Sequence, residues 1–168
     1  MLKGQALQPI NNDKSIQLTF HGSVLAFDYG EKRIGVAHGE HLLGIAHPLS
    51  TIQGESNAQK FAAIDALVAQ WQPSTLVVGL PAYLNGELHE FSQLCQKFAR
   101  RLDARYQLPV VMIDERLSSA EASQSLQQMG IHGRQQKAFL DQMAAQIILQ
   151  SYFDLIAQPS NYDHEQTS

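Results

Sequence analysis

Apolar runs that are continuous rather than alternating set the strongest limit on how this chain folds. Val24-Leu25-Ala26-Phe27, Thr75-Leu76-Val77-Val78-Gly79-Leu80 and Val110-Val111-Met112-Ile113 are short and apolar throughout. A strand with one wet face alternates apolar and polar residues, so a continuous run predicts a strand covered on both faces by helices. Each run stops abruptly: at Asp28-Tyr29-Gly30-Glu31, at Pro81 with an Asn85-Gly86 turn beyond it, and at Asp114-Glu115.

Arg33-Ile34-Gly35-Val36-Ala37 reads as a second strand. Leu42 to Ala46 reads as a third, cut off by Pro48, which has no N–H to give a central ladder. Neighbouring strands with short turns predict an antiparallel meander. The period then changes. Between Ser56 and Trp71 the positions Phe61, Ile64, Leu67, Val68 and Trp71 recur at helical intervals, with Pro73 as a stop. A second helix turns Leu88, Phe91, Leu94, Cys95, Phe98 and Leu102 inward and Lys97, Arg100, Arg101 and Arg105 largely outward. A further helix from about Ser118 to Met129 ends at Gly130, and a Gly/Arg/Gln-rich linker leads to the last, about Lys137 to Ile156. The order βββ-αβ-αβ-αα predicts a mixed sheet with helices on its faces.

At 168 residues the chain suits one domain. Met1 to Gly22 is polar and unpatterned and reads as an arm, residues 23–157 as the domain, and residues 158–168 as a polar tail. No apolar run approaches the roughly 20 residues of a membrane span, and the first twenty residues lack the apolar core of a secretory signal. A lone Cys95 excludes an internal disulfide and a multi-cysteine zinc site, so the expected compartment is the reducing cytoplasm. The net charge of -4 argues against a protein that coats nucleic acid indiscriminately. A local basic face remains available: from Lys97 to Lys137 seven basic residues meet four acids. The histidines form no recognised ligand spacing, which disfavours a His-based zinc hydrolase.

The acids are placed more tellingly than the bases. Asp28 and Asp114-Glu115 end two of the most apolar strands, where a carboxylate either caps a turn or emerges at the sheet edge to bind a cation. On the last helix Asp141 shares a stripe with Ala144, Ala145, Ile148 and Tyr152, the face that must meet the sheet. Helix-dipole stabilisation accounts for an acid in those first turns, but not for its place on the buried stripe. Two strand ends and a helix start can bring three carboxylates to one point. Such a group suits a hard cation, Mg²⁺ or Mn²⁺, as one or two ions. Metal-assisted phosphodiester hydrolysis is the reaction class that follows.

Four ordered motifs carry a specific resemblance: Phe27-Asp28-Tyr29-Gly30-Glu31-Lys32-Arg33-Ile34-Gly35-Val36-Ala37; Val77-Val78-Gly79-Leu80-Pro81 with Asn85-Gly86; Asp114-Glu115-Arg116-Leu117-Ser118 with Glu121-Ala122; and Asp141-Gln142-Met143-Ala144-Ala145 with Ile147 to Gln150. Together they resemble the RuvX/YqgF family from about Val24 to Asp154. Its members are described as Holliday junction resolvases and as nucleases that mature the 5′ end of pre-16S ribosomal RNA. The resemblance implies an α/β, RNase H-like fold: a five-stranded mixed sheet, three antiparallel strands then two parallel, flanked by helices. It also implies that Asp28, Glu115 and Asp141 are the catalytic metal ligands, with Asp114 a less secure fourth. Lys32, Arg33, Arg116, Arg134 and Lys137 become candidates for holding nucleic-acid phosphates, or else ordinary surface charge. Gly35 marks a close approach or a bulge, and Pro81 to Glu90 a flap or an inert connection. The chain departs from the family pattern at His38-Gly39-Glu40, at Asn85 and in its less basic linker, Gly133 to Lys137.

The implied partners are pre-16S rRNA or branched DNA, with pre-ribosomal particles, and no membrane. A resolvase of four-way junctions is expected to be a homodimer, whereas a monomer counts against junction resolution. A binding module that keeps the fold and hardly cleaves is the remaining alternative.

Overall fold

The computed structural model describes residues 20–81, 90–114 and 133–157. The expected helix over Ser118–Met129 and nearly all of the Pro81–Glu90 loop lie outside them. Five strands form one sheet: β1 (Ser23–Asp28), β2 (Arg33–Glu40), β3 (Ile45–Gln53), β4 (Thr75–Leu80) and β5 (Val110–Asp114). Their spatial order is β3-β2-β1-β4-β5. β1–β2 and β2–β3 are antiparallel, whereas β4 runs parallel to β1 and β5 parallel to β4. This is the RNase H-like mixed sheet that the resemblance implies.

Helices cover both faces, which is why the central strands read as unbroken apolar runs. On one face Val24, Ala26, Ala37, Val77, Val111 and Ile113 pack against α3 (Gly133–Ala157) through its Ala145, Ile148, Leu149, Tyr152 and Phe153. On the other, Leu25, Phe27, Ile34, Val36, Leu76, Val78 and Val110 pack against α1 (Asn57–Trp71) and α2 (Glu90–Tyr106) through Ile64, Phe98, Ala99 and Leu102. The division follows the two-residue alternation of each strand. Among the described residues no helix is long and apolar enough to cross a membrane.

Local signals set the ends of α1. The Ser56 hydroxyl accepts from the Gln59 N–H at the start, and Gln72 closes the helix in the left-handed region at φ 45° before Pro73.

Besides β2, which runs on past Ala37 to Glu40, two boundaries differ from the sequence expectation. The third strand was expected over Leu42 to Ala46, ending before Pro48, but β3 runs Ile45–Gln53 with Pro48 inside it. Leu42 and Leu43 lie exposed in the preceding turn. The reason is position: β3 is an edge strand, where a missing N–H is tolerated. A register shift also brings Ser50 opposite Val36 and Pro48 opposite Ala37, leaving Leu49 bulged. The second difference is the start of the last helix. Gly133 to Lys137 was expected to be a linker, but these residues form the first turn of α3. Arg, Gln and Lys are good helix formers, so their polarity did not mark a break.

A buried polar clasp joins the far end of the sheet to α3. His41 is 9% exposed. Its Nδ1 meets the Gly22 carbonyl at 3.0 Å and its Nε2 meets the Tyr152 hydroxyl at 2.7 Å. A carbonyl only accepts, so Nδ1 carries a proton, and Nε2 pairs with the hydroxyl of Tyr152, which burial pushes up to about 12. Burial lowers the pKa of the ring and so favours its neutral form. Burial also lowers that of His38, stacked on Trp71 at 3.8 Å. A depressed folded pKa gives stability that is complete above the unfolded value of 6.5 and declines as pH falls below it, because the unfolded chain takes up the proton first. Thermal melts are thus expected to be level at neutral pH and to fall below about pH 6.5. The acid slope should shrink in His41→Gln combined with His38→Gln; an unchanged slope would assign it to other groups.

Candidate active site

β1, β4 and β5 run the same way, so Asp28, Leu80 and Asp114 all lie at one edge of the sheet, the carboxyl ends of its parallel strands. Alternation separates the two aspartates. Asp28 continues the Val24–Ala26 series on the α3 face, whereas Asp114 continues the series of Val110 and Met112 on the face of α1 and α2.

α3 reaches the same edge through Gly35. On β2, Gly35 is the register partner of Asp28. A Cβ placed on Gly35 would lie 2.0 Å from the Asp141 carbonyl oxygen, 2.4 Å from its carbon and 3.0 Å from the Asp141 Cβ. The backbone of α3 therefore rests directly on β2 at Asp141, one strand away from Asp28. Antiparallel partners have Cα atoms roughly 4.5–5.5 Å apart, so the two aspartates share a small neighbourhood although 113 positions apart in the chain. Gly39 repeats the device farther along β2, where an added Cβ would lie 2.7 Å from the Phe153 ring. The expected close approach at Gly35 is thus to this helix, and the bulge falls instead on β3 at Leu49, opposite Val36 and Ala37.

A ladder of glutamines holds α3 in that register. Gln142 Nε2 donates to the Thr51 hydroxyl, Gln146 Nε2 to the Ala46 carbonyl and Gln150 Nε2 to the Gly44 carbonyl. Gln150 Oε1 accepts from the Ala46 N–H, and the Thr51 hydroxyl donates to the Ala138 carbonyl. Sequence reasoning missed these positioning residues. Their i, i+4, i+8 spacing on one helix face was the available signal. The same bonds occupy backbone groups of the edge strand, which blunts it as a pairing template.

Asp141 is partly buried, its side chain 19% exposed, and Arg33 Nε donates to its Oδ2 at 2.7 Å. Arg33 thus meets a carboxylate of the expected set. Lys32 is exposed beside it, and both line an open groove with Gln53, Glu55 and Gln59. Lys137 is exposed on the first turns of α3. Glu115 and Arg116 lie outside the described residues, as does the side chain of Arg134. Among the described residues alone, no three of Asp, Glu, His and Cys gather as a metal-ligand cluster. The two described members of the expected three are carboxylates, hard oxygen donors suited to Mg²⁺ or Mn²⁺, with a guanidinium already drawn to one of them.

A Methylobacillus flagellatus protein named "Putative pre-16S rRNA nuclease" is 68% identical over 136 residues, covering 81% of this chain and 93% of its own. A protein of the same name from Thiobacillus denitrificans is 53% identical over 134 residues, covering 80% and 92%. Among solved structures, Thermus thermophilus RuvC in complex with Holliday junction substrate overlaps 79% of this chain and 94% of its own, at 14% identity and a TM-score of 0.47. The family described as "RuvX: Holliday junction resolvase" matches residues 22–155, and with that span matched the chain belongs to the RuvX family.

Proposed function

We propose that this protein is a metal-dependent nuclease that hydrolyses phosphodiester bonds during maturation of the 5′ end of pre-16S ribosomal RNA. The observation that carries the reading is the seating of Asp141 on Gly35, beside Asp28 at the carboxyl edge of the sheet. The names of the relatives point to the ribosomal RNA precursor as the substrate.

In this reading Asp28, Asp141 and Glu115 are the ligands of one or two Mg²⁺ or Mn²⁺ ions. When bound, such an ion supplies charge neutralisation at the scissile phosphate and an acidified water. The chain's own contribution is positional. The Gly35 contact and the glutamine ladder fix the height of Asp141, and β1 fixes Asp28. Arg33 holds the Asp141 carboxylate in one orientation and neutralises it while no cation is there. Lys32, in the adjoining groove, supplies positive charge for the backbone of an approaching strand, and Arg116, Arg134 and Lys137 are further candidates for that role. The protein acts in the cytoplasm, on precursor RNA free or within pre-ribosomal particles.

The test is incubation of the purified protein with labelled precursor RNA, duplex DNA and a four-way junction, each with Mg²⁺ or Mn²⁺, alongside a measurement of mass in solution. Cleavage of the RNA at the mature 5′ end supports the proposal. Symmetric junction cutting by a homodimer would replace it with junction resolution. Binding without cleavage of any substrate would leave a binding module.

A further inference from the structure

A cavity of about 140 Å³ lies across the sheet from α3, between the start of α1 and the middle of α2, and reaches the turn after Asp28 through Tyr29. Its floor is apolar, made by Ile34, Phe61, Leu94 and Phe98. Its walls carry three cationic side chains, Lys60, Lys97 and Arg101, and none of the described residues lining it is a carboxylate.

Lys60 is the least expected member. A lysine normally runs its stem along the surface and leaves its ammonium in water, yet this residue is 6% exposed. Its ammonium donates to the Glu31 carbonyl, which takes one of its three protons. Lys97 and Arg101 stand one turn apart on α2, a spacing at which like charges repel. The next cation along, Arg105, is handled differently: it forms a two-point pair with Asp65 of α1 at 2.8 and 2.6 Å. The two helices therefore do pair a cation across their interface, one turn away from the cavity. Asn57, the first residue of α1, also lines the cavity and brings the positive end of that helix to it. The volume is that of about five waters at roughly 30 Å³ each, room enough for one phosphate group.

We propose that this cavity is an anion site that takes one phosphate group of the nucleic-acid strand, flanking the bond to be cut. The inference rests on the nuclease reading. A strand crossing the carboxyl edge of the sheet meets Asp28 and Asp141 on one face and, past Tyr29, the three cations on the other.

The test uses the full chain carrying Asp28→Asn, so that bound RNA stays intact, with and without Lys97→Gln plus Arg101→Gln. Both positions are exposed, and thermal melts check that the fold is kept. Binding of a short fluorescent single-stranded RNA, followed by anisotropy across a salt series, is expected to weaken roughly tenfold, with the salt slope shallower by about 0.7 for one lost phosphate contact. Inorganic phosphate, titrated while amide signals of residues 57–60 are followed by NMR, separates the sources of the anion. Phosphate that shifts those signals and competes with RNA supports a strand phosphate. Phosphate that fills the site while RNA affinity and slope stay unchanged in the double substitution points to a free phosphorylated ligand and overturns the proposal. An unchanged slope with no phosphate response overturns it as well. If the wild type cleaves nothing yet the substitutions still weaken RNA binding, the nuclease reading falls and the anion site stands.

Discussion

Asp28→Asn and Asp141→Asn are each expected to reduce metal-dependent RNA cleavage by more than about 100-fold, because loss of even an outer-shell partner of a bound metal costs about 10–100-fold. Asp114→Asn serves as the contrast. Its side chain lies on the opposite face of the sheet, with Val110 and Met112, and its rate should stay near that of wild type. Single-turnover cleavage across a Mn²⁺ titration makes the measurement, and thermal melts accompany it. The fold should survive both changes: Asp141→Asn loses one ion pair whose arginine side chain is 32% exposed, worth at most about 1 kcal/mol. Wild-type cleavage by Asp28→Asn would trace the activity to a contaminating nuclease or to other acids. Equal loss in all three variants would place the centre elsewhere on that edge.

Gly35→Ala is expected to have the largest effect on stability. The added methyl would stand 2.0 Å from the Asp141 carbonyl oxygen. That obstacle is helix backbone, not the end of a flexible side chain, so α3 must lift or the strand must bend. Overpacking a close contact typically costs about 1–3 kcal/mol, and this one belongs at or above the upper end. For a domain of this size about 3 kcal/mol lowers the melting temperature by roughly 6–12 °C. Activity should fall further than stability does, since lifting α3 moves Asp141 away from Asp28. Gly44→Ala isolates the backbone contribution: Gly44 has φ +67° but nothing within 4 Å of an added Cβ, so only the left-handed conformation is penalised, by about 1 kcal/mol. A Gly35→Ala protein as stable as wild type would show that α3 does not rest on β2 as described.

Much of this arrangement is legible in the residues. Unbroken apolar runs announce strands covered on both faces, and the cores on the two sides of the sheet are built from alternate residues of those runs. Ser56 and Pro73 bracket α1 as written. The stripe of Asp141 with Ala144, Ala145, Ile148 and Tyr152 reads as a buried face, and its apolar members are buried. Other features were not legible, for physical reasons. Pro48 reads as a strand breaker unless the strand is known to lie at an edge. Gln142, Gln146 and Gln150 read as solvated polar residues until an edge strand with backbone groups to bond is set beside them. Lys60 reads as surface, because nothing in its neighbours along the chain reports that its ammonium folds back onto the Glu31 carbonyl.

The sequence alone determined the periods, the two-sided burial of the central strands and the presence of acids where apolar runs end, because these depend on residues within a few positions of one another. Only the tertiary structure decided that β4 joins the free side of β1, that Gly35 stands opposite Asp28, and that α3 descends onto that glycine. The last of these adjacencies joins residues more than a hundred positions apart. All three follow from which surfaces pack most closely once the whole sheet has formed.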